Sequence, residues 1–203
     1  MNLKIDPNLI KGFLDYQEGE ALYHLAKKCS RLGPILEIGS YCGKSALYLG
    51  SAAQEEEQIL YSIDHHKGSE EQQPGEEYFD SDLLDKSGKG INTLPFFLKT
   101  LKLAELENTV KPIVSSSTEA VENWNEKLSM VFIDGGHSLK SALNDFKNWH
   151  PFLISGGILA IHDVFPDPKD GGRPPYVIYC LAKNSGLFKE LTMIKTLGIL
   201  KKE

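Results

Sequence analysis

Ile35-Leu36-Glu37-Ile38-Gly39-Ser40-Tyr41-Cys42-Gly43-Lys44-Ser45 decides the fold. An apolar strand carrying one acid runs into a tight turn with two glycines, and a helix starts directly after it. Such a turn aims backbone N–H groups and a helix N-terminus at one point, where an anionic or polar ligand can sit. Gly39 lets the chain turn sharply, and Gly43 lets the new helix come close to ligand and strand. The spacing is Glu-x-Gly-x-x-x-Gly. A dinucleotide fingerprint would place a glycine where Tyr41 stands, and a phosphate-binding P-loop would place one at Ile38, five residues before Gly43. The turn therefore points to a nucleoside-type ligand other than NAD or ATP.

Outward from this turn, strands and helices alternate. Apolar residues recur at helical spacing between Leu9 and Arg31, giving one or two N-terminal helices within residues 1–33, stopped by Gly33-Pro34. Strands are expected over Ile35–Ile38, Gln58–Ile63, Val110–Val114, Leu128–Ile133 and Ile158–Ile161, the last starting after Gly156-Gly157. Helices are expected over Lys44–Ala53, Asn92–Leu106, Thr118–Trp124, Ser138–Trp149 and Tyr176–Asn184, with a terminal hairpin over Phe188–Thr196 and Leu197–Lys201. Phe96, Phe97, Leu98 and Leu101 read as core. Residues 65–90 are polar, too poor in apolar side chains for a core element, and read as an inserted loop or lid. Strand–helix alternation repeated five times is the pattern of an α/β protein with a parallel sheet covered on both faces. No linker or repeat divides the 203 residues, so one domain is expected.

Composition narrows the class. With 41% apolar residues the chain is long enough for one α/β core. A net charge of −6 speaks against nucleic acid as a partner. No apolar run approaches a membrane span, and the first residues carry no signal core, so a cytoplasmic protein without membrane attachment is expected. Cys29, Cys42 and Cys180 are odd in number and widely spaced, as in a reducing compartment.

Ligands of open α/β sheets bind beyond the carboxyl ends of the strands. The chain's polar clusters fall at those ends: Asp64-His65-His66, Ser115-Ser116-Ser117, Asp134-Gly135-Gly136-His137 and His162-Asp163. Asp64 suits the two hydroxyls of a ribose, or a plain loop cap. Asp134, His162 and Asp163, on adjacent strands, offer a divalent-metal set, or a His–Asp pair that braces a loop. His137, three residues past Asp134, is a candidate general base, or a helix-start or ligand-stacking side chain.

These stretches resemble a family. Residues 35–45 are similar to the first motif of class I S-adenosylmethionine-dependent methyltransferases, above all the catechol O-methyltransferase-like branch, where a Tyr-Cys-Gly turn also follows the Glu-x-Gly step. From Ile35 onward the chain resembles the small bacterial enzymes grouped as methyltransferase family 24. The stretches that carry this likeness are residues 62–71, 132–138 and 162–168.

The resemblance implies a Rossmann-like three-layer domain whose seven-stranded sheet is mostly parallel, with an antiparallel last strand. It implies S-adenosylmethionine as cofactor, held at its methionine and ribose portions by Glu37, Gly39, Ser40, Tyr41, Cys42, Gly43, Ser45 and Asp64. His65 and His66 would lie nearby, Ser116 and Ser117 beside the adenine, and Asp134, Gly135 and His137 at the far wall. In the catechol-type enzymes a magnesium ion is held by an Asp, matched here by Asp134, and by an Asp-Asn pair whose place His162-Asp163 takes. Histidine suits manganese, iron, cobalt or zinc better than magnesium. The base of those enzymes is a lysine where His137 stands, so Asp134 and His137 are the catalytic candidates. O-methylation of a small-molecule hydroxyl acceptor is the activity implied, with a homodimer as the assembly to test. An NAD-dependent oxidoreductase and a non-catalytic nucleoside-binding module are the rival readings.

Overall fold

The computed structural model describes residues 1–88, 90–136 and 138–203. A 3-10 turn at Pro7–Leu9 precedes helix α1 (Tyr16–Ser30), which starts at a capping box: Asp15 accepts from the Gln17 N–H, and Glu18 reaches back to the Asp15 N–H. Then follow β1 (Ile35–Ile38), α2 (Lys44–Glu55), β2 (Leu60–Ile63), α3 (Leu94–Leu103), β3 (Val110–Ile113), α4 (Ser117–Val121), β4 (Leu128–Ile133), α5 (Leu139–Trp149), β5 (Leu153–Ile161), α6 (Pro174–Asn184), β6 (Phe188–Ile194) and β7 (Leu197–Lys202).

The seven strands form one sheet in the order β3-β2-β1-β4-β5-β7-β6. β7 slots antiparallel between β5 and β6, and the neighbours from β3 to β5 pair in parallel. Alternate strand residues face opposite ways. Ile35, Met130, Phe132 and Ile158 pack under α1, α2 and α3, whereas Leu36, Val131, Ile133 and Leu159 pack under α5 and α6. Chain order reverses between β1 and β4, and that is where a crevice opens in such sheets.

Register then builds the rim. Ile113, Ile63, Ile38, Ile133 and Ile161 lie side by side across five parallel strands. The next residue on each strand is therefore level with the others: Val114, Asp64, Gly39, Asp134 and His162. The ladder runs one bond further, with the N–H groups of Asp64, Gly39, Asp134 and His162 donating to the carbonyls of Ile113, Ile63, Ile38 and Ile133 at 2.8–3.2 Å. At the switch point the approach is so tight that a Cβ on Gly39 (φ +88) would stand 1.9 Å from the Asp134 carbonyl oxygen.

Three expectations are corrected. β5 begins at Leu153 and runs through Gly156-Gly157, where Gly156 has φ +79 and pairing with β4 shifts; the glycines form a bulge inside the strand. The described part of residues 65–90 is loop with 3-10 turns at Glu70–Gln72 and Ser81–Leu83, but it does contribute to the core, since its own Leu83 is buried and Leu84 bridges Ile91. Lys11 ties the segment down through Asp80 (2.5 Å) and Asp82 (2.9 Å). Leu98 is 46% exposed and Phe96 only half-buried, because α3 turns just Phe97, Thr100 and Leu101 fully inward. Among the described residues no helix is long and apolar enough to cross a membrane.

Candidate functional site

A cavity of about 760 Å³ opens beyond the carboxyl ends of the parallel strands. Its floor is the rim row with the turn above β1. Its outer wall is the 11–14 segment, residues 68–78 and the 163–175 loop.

Asp64 organises the turn. One of its oxygens, Oδ2, accepts the N–H groups of Ser40 (2.9 Å) and Tyr41 (2.8 Å), and Oδ1 accepts that of His66 (2.6 Å). Tyr41 is held at φ +46, in the left-handed region that side chains seldom adopt. Asp64 still lines the cavity, and Oδ1 retains a lone pair for a ligand donor.

Beneath the turn lies Glu37, fully buried. It accepts hydroxyl hydrogens from Ser45 (2.9 Å) and Ser62 (2.6 Å), and Ser40 and Ser62 share a further bond. Burial pushes its carboxyl up to about 7, against the opposing pull of these serine donors.

The turn's residues divide into wall and support. Gly39, Ser40, Tyr41, Ser45, Asp64 and His65 line the cavity. Glu37, Cys42, Gly43 and His66 stand behind this lining. The Cys42 carbonyl accepts from Thr100 of α3 (2.8 Å). A Cβ on Gly43 would meet Phe97 and Thr100 at 3.2 Å, so this glycine permits the close contact with α3. The His66 ring is buried 5.1 Å from Phe97, with Nδ1 2.8 Å from the Thr93 hydroxyl; burial lowers its pKa.

At the other end, Ser116 caps α4 and Ser117 donates to Asp145 on α5. Ser116, Ser117 and Asp145 all line the cavity. Burial pushes Asp145 up to about 6, opposed by the Ser117 hydroxyl. Asp145 escaped the motif reading, although its signal is plain: an acid on the buried stripe of α5, between Ala142 and Trp149 and next to Phe146.

The far wall brings Asp134, His162 and Asp163 together. One ligand-type atom from each lies within 4.8 Å of the others. His162 is 5% exposed; its Nδ1 lies 3.1 Å from Asp134 Oδ1 and 3.4 Å from Asp163 Oδ1, and its Nε2 3.0 Å from Glu18 Oε2. Burial opposes a charged ring, but the surrounding carboxylates outweigh it and hold the pKa well above the ordinary imidazole value. Asp163 has φ +55, and this strained backbone accompanies a carboxylate held at the cavity wall. Two carboxylates and an imidazole nitrogen, with a further carboxylate behind the ring, fit a divalent cation. Glu18 was not legible in the sequence, since it reaches His162 across 144 residues. His137 lies outside the described residues.

Over the cavity mouth, Phe13 stands 6.0 Å from Tyr41 and edge-on to Tyr78 at 5.3 Å, joining the N-terminal segment to residues 68–78.

Comparison with known proteins bears on the family and the fold. A family model described as "Methyltransferase domain", that of methyltransferase family 24, matches residues 36–164. Among solved structures, an O-methyltransferase from Bacillus cereus in complex with S-adenosylhomocysteine is 15% identical, with a TM-score of 0.63 over 96% of this chain and 85% of that one. The O-methyltransferase TomG from Streptomyces achromogenes, involved in tomaymycin synthesis and solved with S-adenosylmethionine, is 16% identical, with a TM-score of 0.62 over 94% and 81%. The S-adenosylhomocysteine-bound methyltransferase PaMTH1 of Podospora anserina gives 15%, 0.59, 94% and 80%. Likeness at these identities is one of fold, whereas the family match spans more than half the chain. The chain thus belongs to methyltransferase family 24, built on the class I methyltransferase fold.

Proposed function

We propose that this protein transfers the methyl group of S-adenosylmethionine to a hydroxyl oxygen of a small molecule. The observation that carries the reading is the cavity that places the Gly39–Tyr41 turn and Asp64 on one side and Asp134, His162 and Asp163 on the other. Asp64 and the turn would hold the ribose and methionine portions, and Ser116, Ser117 and Asp145 would take the adenine end. Asp134, His162 and Asp163 would face the acceptor oxygen.

In the reaction the carbon–sulfur bond breaks as the oxygen–carbon bond forms, and the hydroxyl proton leaves. The residues act first by orientation, since holding acceptor and methyl group in line removes much of the barrier. A divalent cation held by Asp134, His162 and Asp163 would lower the pKa of the acceptor hydroxyl. The imidazole donor favours manganese, iron, cobalt or zinc there. His137 is the candidate proton acceptor by its place in the sequence. Phe13, Tyr41 and Tyr78 offer aromatic faces to an acceptor ring.

Calorimetry with S-adenosylhomocysteine tests the cofactor, and methyl transfer across a panel of catechols, phenols and alcohols tests the acceptor class. Stoichiometric binding and transfer abolished by Asp134→Ala are expected. Folded protein that releases no heat with this nucleoside would overturn the proposal.

A further inference from the structure

Glu18 belongs to none of the motifs above, yet it determines how one of the site's side chains is held. It lies in the first turn of α1, 2% exposed, and does not line the cavity. Four donors converge on its two oxygens. Oε2 receives the ring nitrogen of His162 (3.0 Å) and the Asp15 N–H (3.2 Å); Oε1 receives the Thr196 N–H (2.9 Å) and hydroxyl (2.7 Å), from the turn between β6 and β7. A carboxylate offers about four lone-pair sites, whereas an amide has a single acceptor oxygen. Starting the helix requires only that position 18 reach the Asp15 N–H, which glutamine does as well. The acid is needed by the His162 and Thr196 side.

Nε2 of His162 faces a carboxylate, so it carries a proton and is committed. Turning the ring over would set a carbon against Glu18 Oε2 and remove one of the carboxylate's four donors. Nδ1 is then the nitrogen presented to the cavity, 3.1 Å from Asp134 Oδ1 and 3.4 Å from Asp163 Oδ1. Without a cation Nδ1 meets Asp134 Oδ1 as a hydrogen-bond partner; a divalent cation seated among Nδ1, Asp134 and Asp163 would replace the proton there and take the nitrogen's lone pair.

We infer that Glu18 is a positioning residue, which locks the His162 ring so that Nδ1 completes a one-nitrogen, two-oxygen donor set with Asp134 and Asp163 for a divalent cation. The inference rests on the proposed reading of this cluster as the acceptor-facing part of the site. Because Glu18 stands behind the ring, its effect is read on the metal and on His162, with no contact to either reactant.

The test is a cobalt(II) titration of the full chain saturated with S-adenosylhomocysteine, followed by calorimetry and visible absorption. Wild type is compared with Glu18→Ala and Glu18→Gln, and ¹⁵N spectra report the His162 ring. One cobalt ion bound by wild type is expected, with affinity roughly 10–100-fold weaker in Glu18→Ala. Glu18→Gln keeps the capping contact and preserves the folded state should Glu18→Ala lose it; it is expected to weaken binding in the same direction and to shift the ring resonances. Wild-type protein that holds the nucleoside but no cobalt would overturn the inference, as would cobalt affinity in the folded variants equal to wild type. Failure of wild type to hold the nucleoside would instead sink the methyltransfer reading.

Discussion

Replacing Glu37 by glutamine should reshape the dependence of stability on pH. Glu37 is fully buried, with hydroxyl donors from Ser45 and Ser62, and burial lifts its carboxyl from an ordinary 4.5 to about 7. A carboxyl with a raised folded-state pKa holds more protons folded than unfolded between those two values. Its contribution is therefore most favourable below about pH 4.5, declines as pH rises and levels off above about 7. At ~1.4 kcal/mol per tenfold change in proton affinity, the decline is roughly 3 kcal/mol. Glu37→Gln keeps the shape: its carbonyl accepts from one serine, and its NH₂ donates to the other serine's oxygen. Every other group titrates alike in both proteins, so the difference between their urea-unfolding free energies isolates Glu37. That difference should move in the variant's favour by roughly 3 kcal/mol from about pH 4.5 to about pH 8. Parallel profiles would refute the reasoning.

Gly39→Ala should be among the most damaging single changes, since its methyl group meets the Asp134 backbone carbonyl at 1.9 Å on a left-handed residue; a loss of at least ~3 kcal/mol, or roughly 6–12 °C in Tm, is expected by calorimetric scan. Asp64→Asn leaves one carbonyl oxygen for three N–H donors. Titration should then show S-adenosylhomocysteine bound about 10–100-fold more weakly, and unchanged affinity would remove Asp64 from the cofactor site. Phe13→Ala removes two aromatic contacts over the mouth. The acceptor KM should rise roughly 2- to 10-fold while S-adenosylhomocysteine affinity holds, and a loss of S-adenosylhomocysteine affinity as large as the rise in KM would place Phe13 on the cofactor instead.

Much of the fold was legible because strands and turns here are local matters. Ile35–Ile38 and Leu128–Ile133 have the bounds that their apolar runs suggest, and Ser138 and Pro95 mark helix starts in the usual way. The errors arose where a local signal had two meanings. Gly156-Gly157 looks like a break, but the bulge costs β5 only a register shift. Residues 65–90 look solvated because one buried leucine, Leu83, is a small signal among many polar residues.

The site divides along the same line. By itself the sequence determined the Gly39–Tyr41 turn and set acids and a histidine at successive strand ends, because a strand's exit depends on its own few residues. Only the tertiary structure decided which of those groups face the cavity. Sheet register levels Asp64, Gly39, Asp134 and His162 into one rim, while the packing of α2 and α3 turns Glu37, Cys42, Gly43 and His66 inward as support. Contacts across 28 residues to Asp145 and 144 to Glu18 exist only once the sheet has closed, since nothing in the chain nearby encodes them.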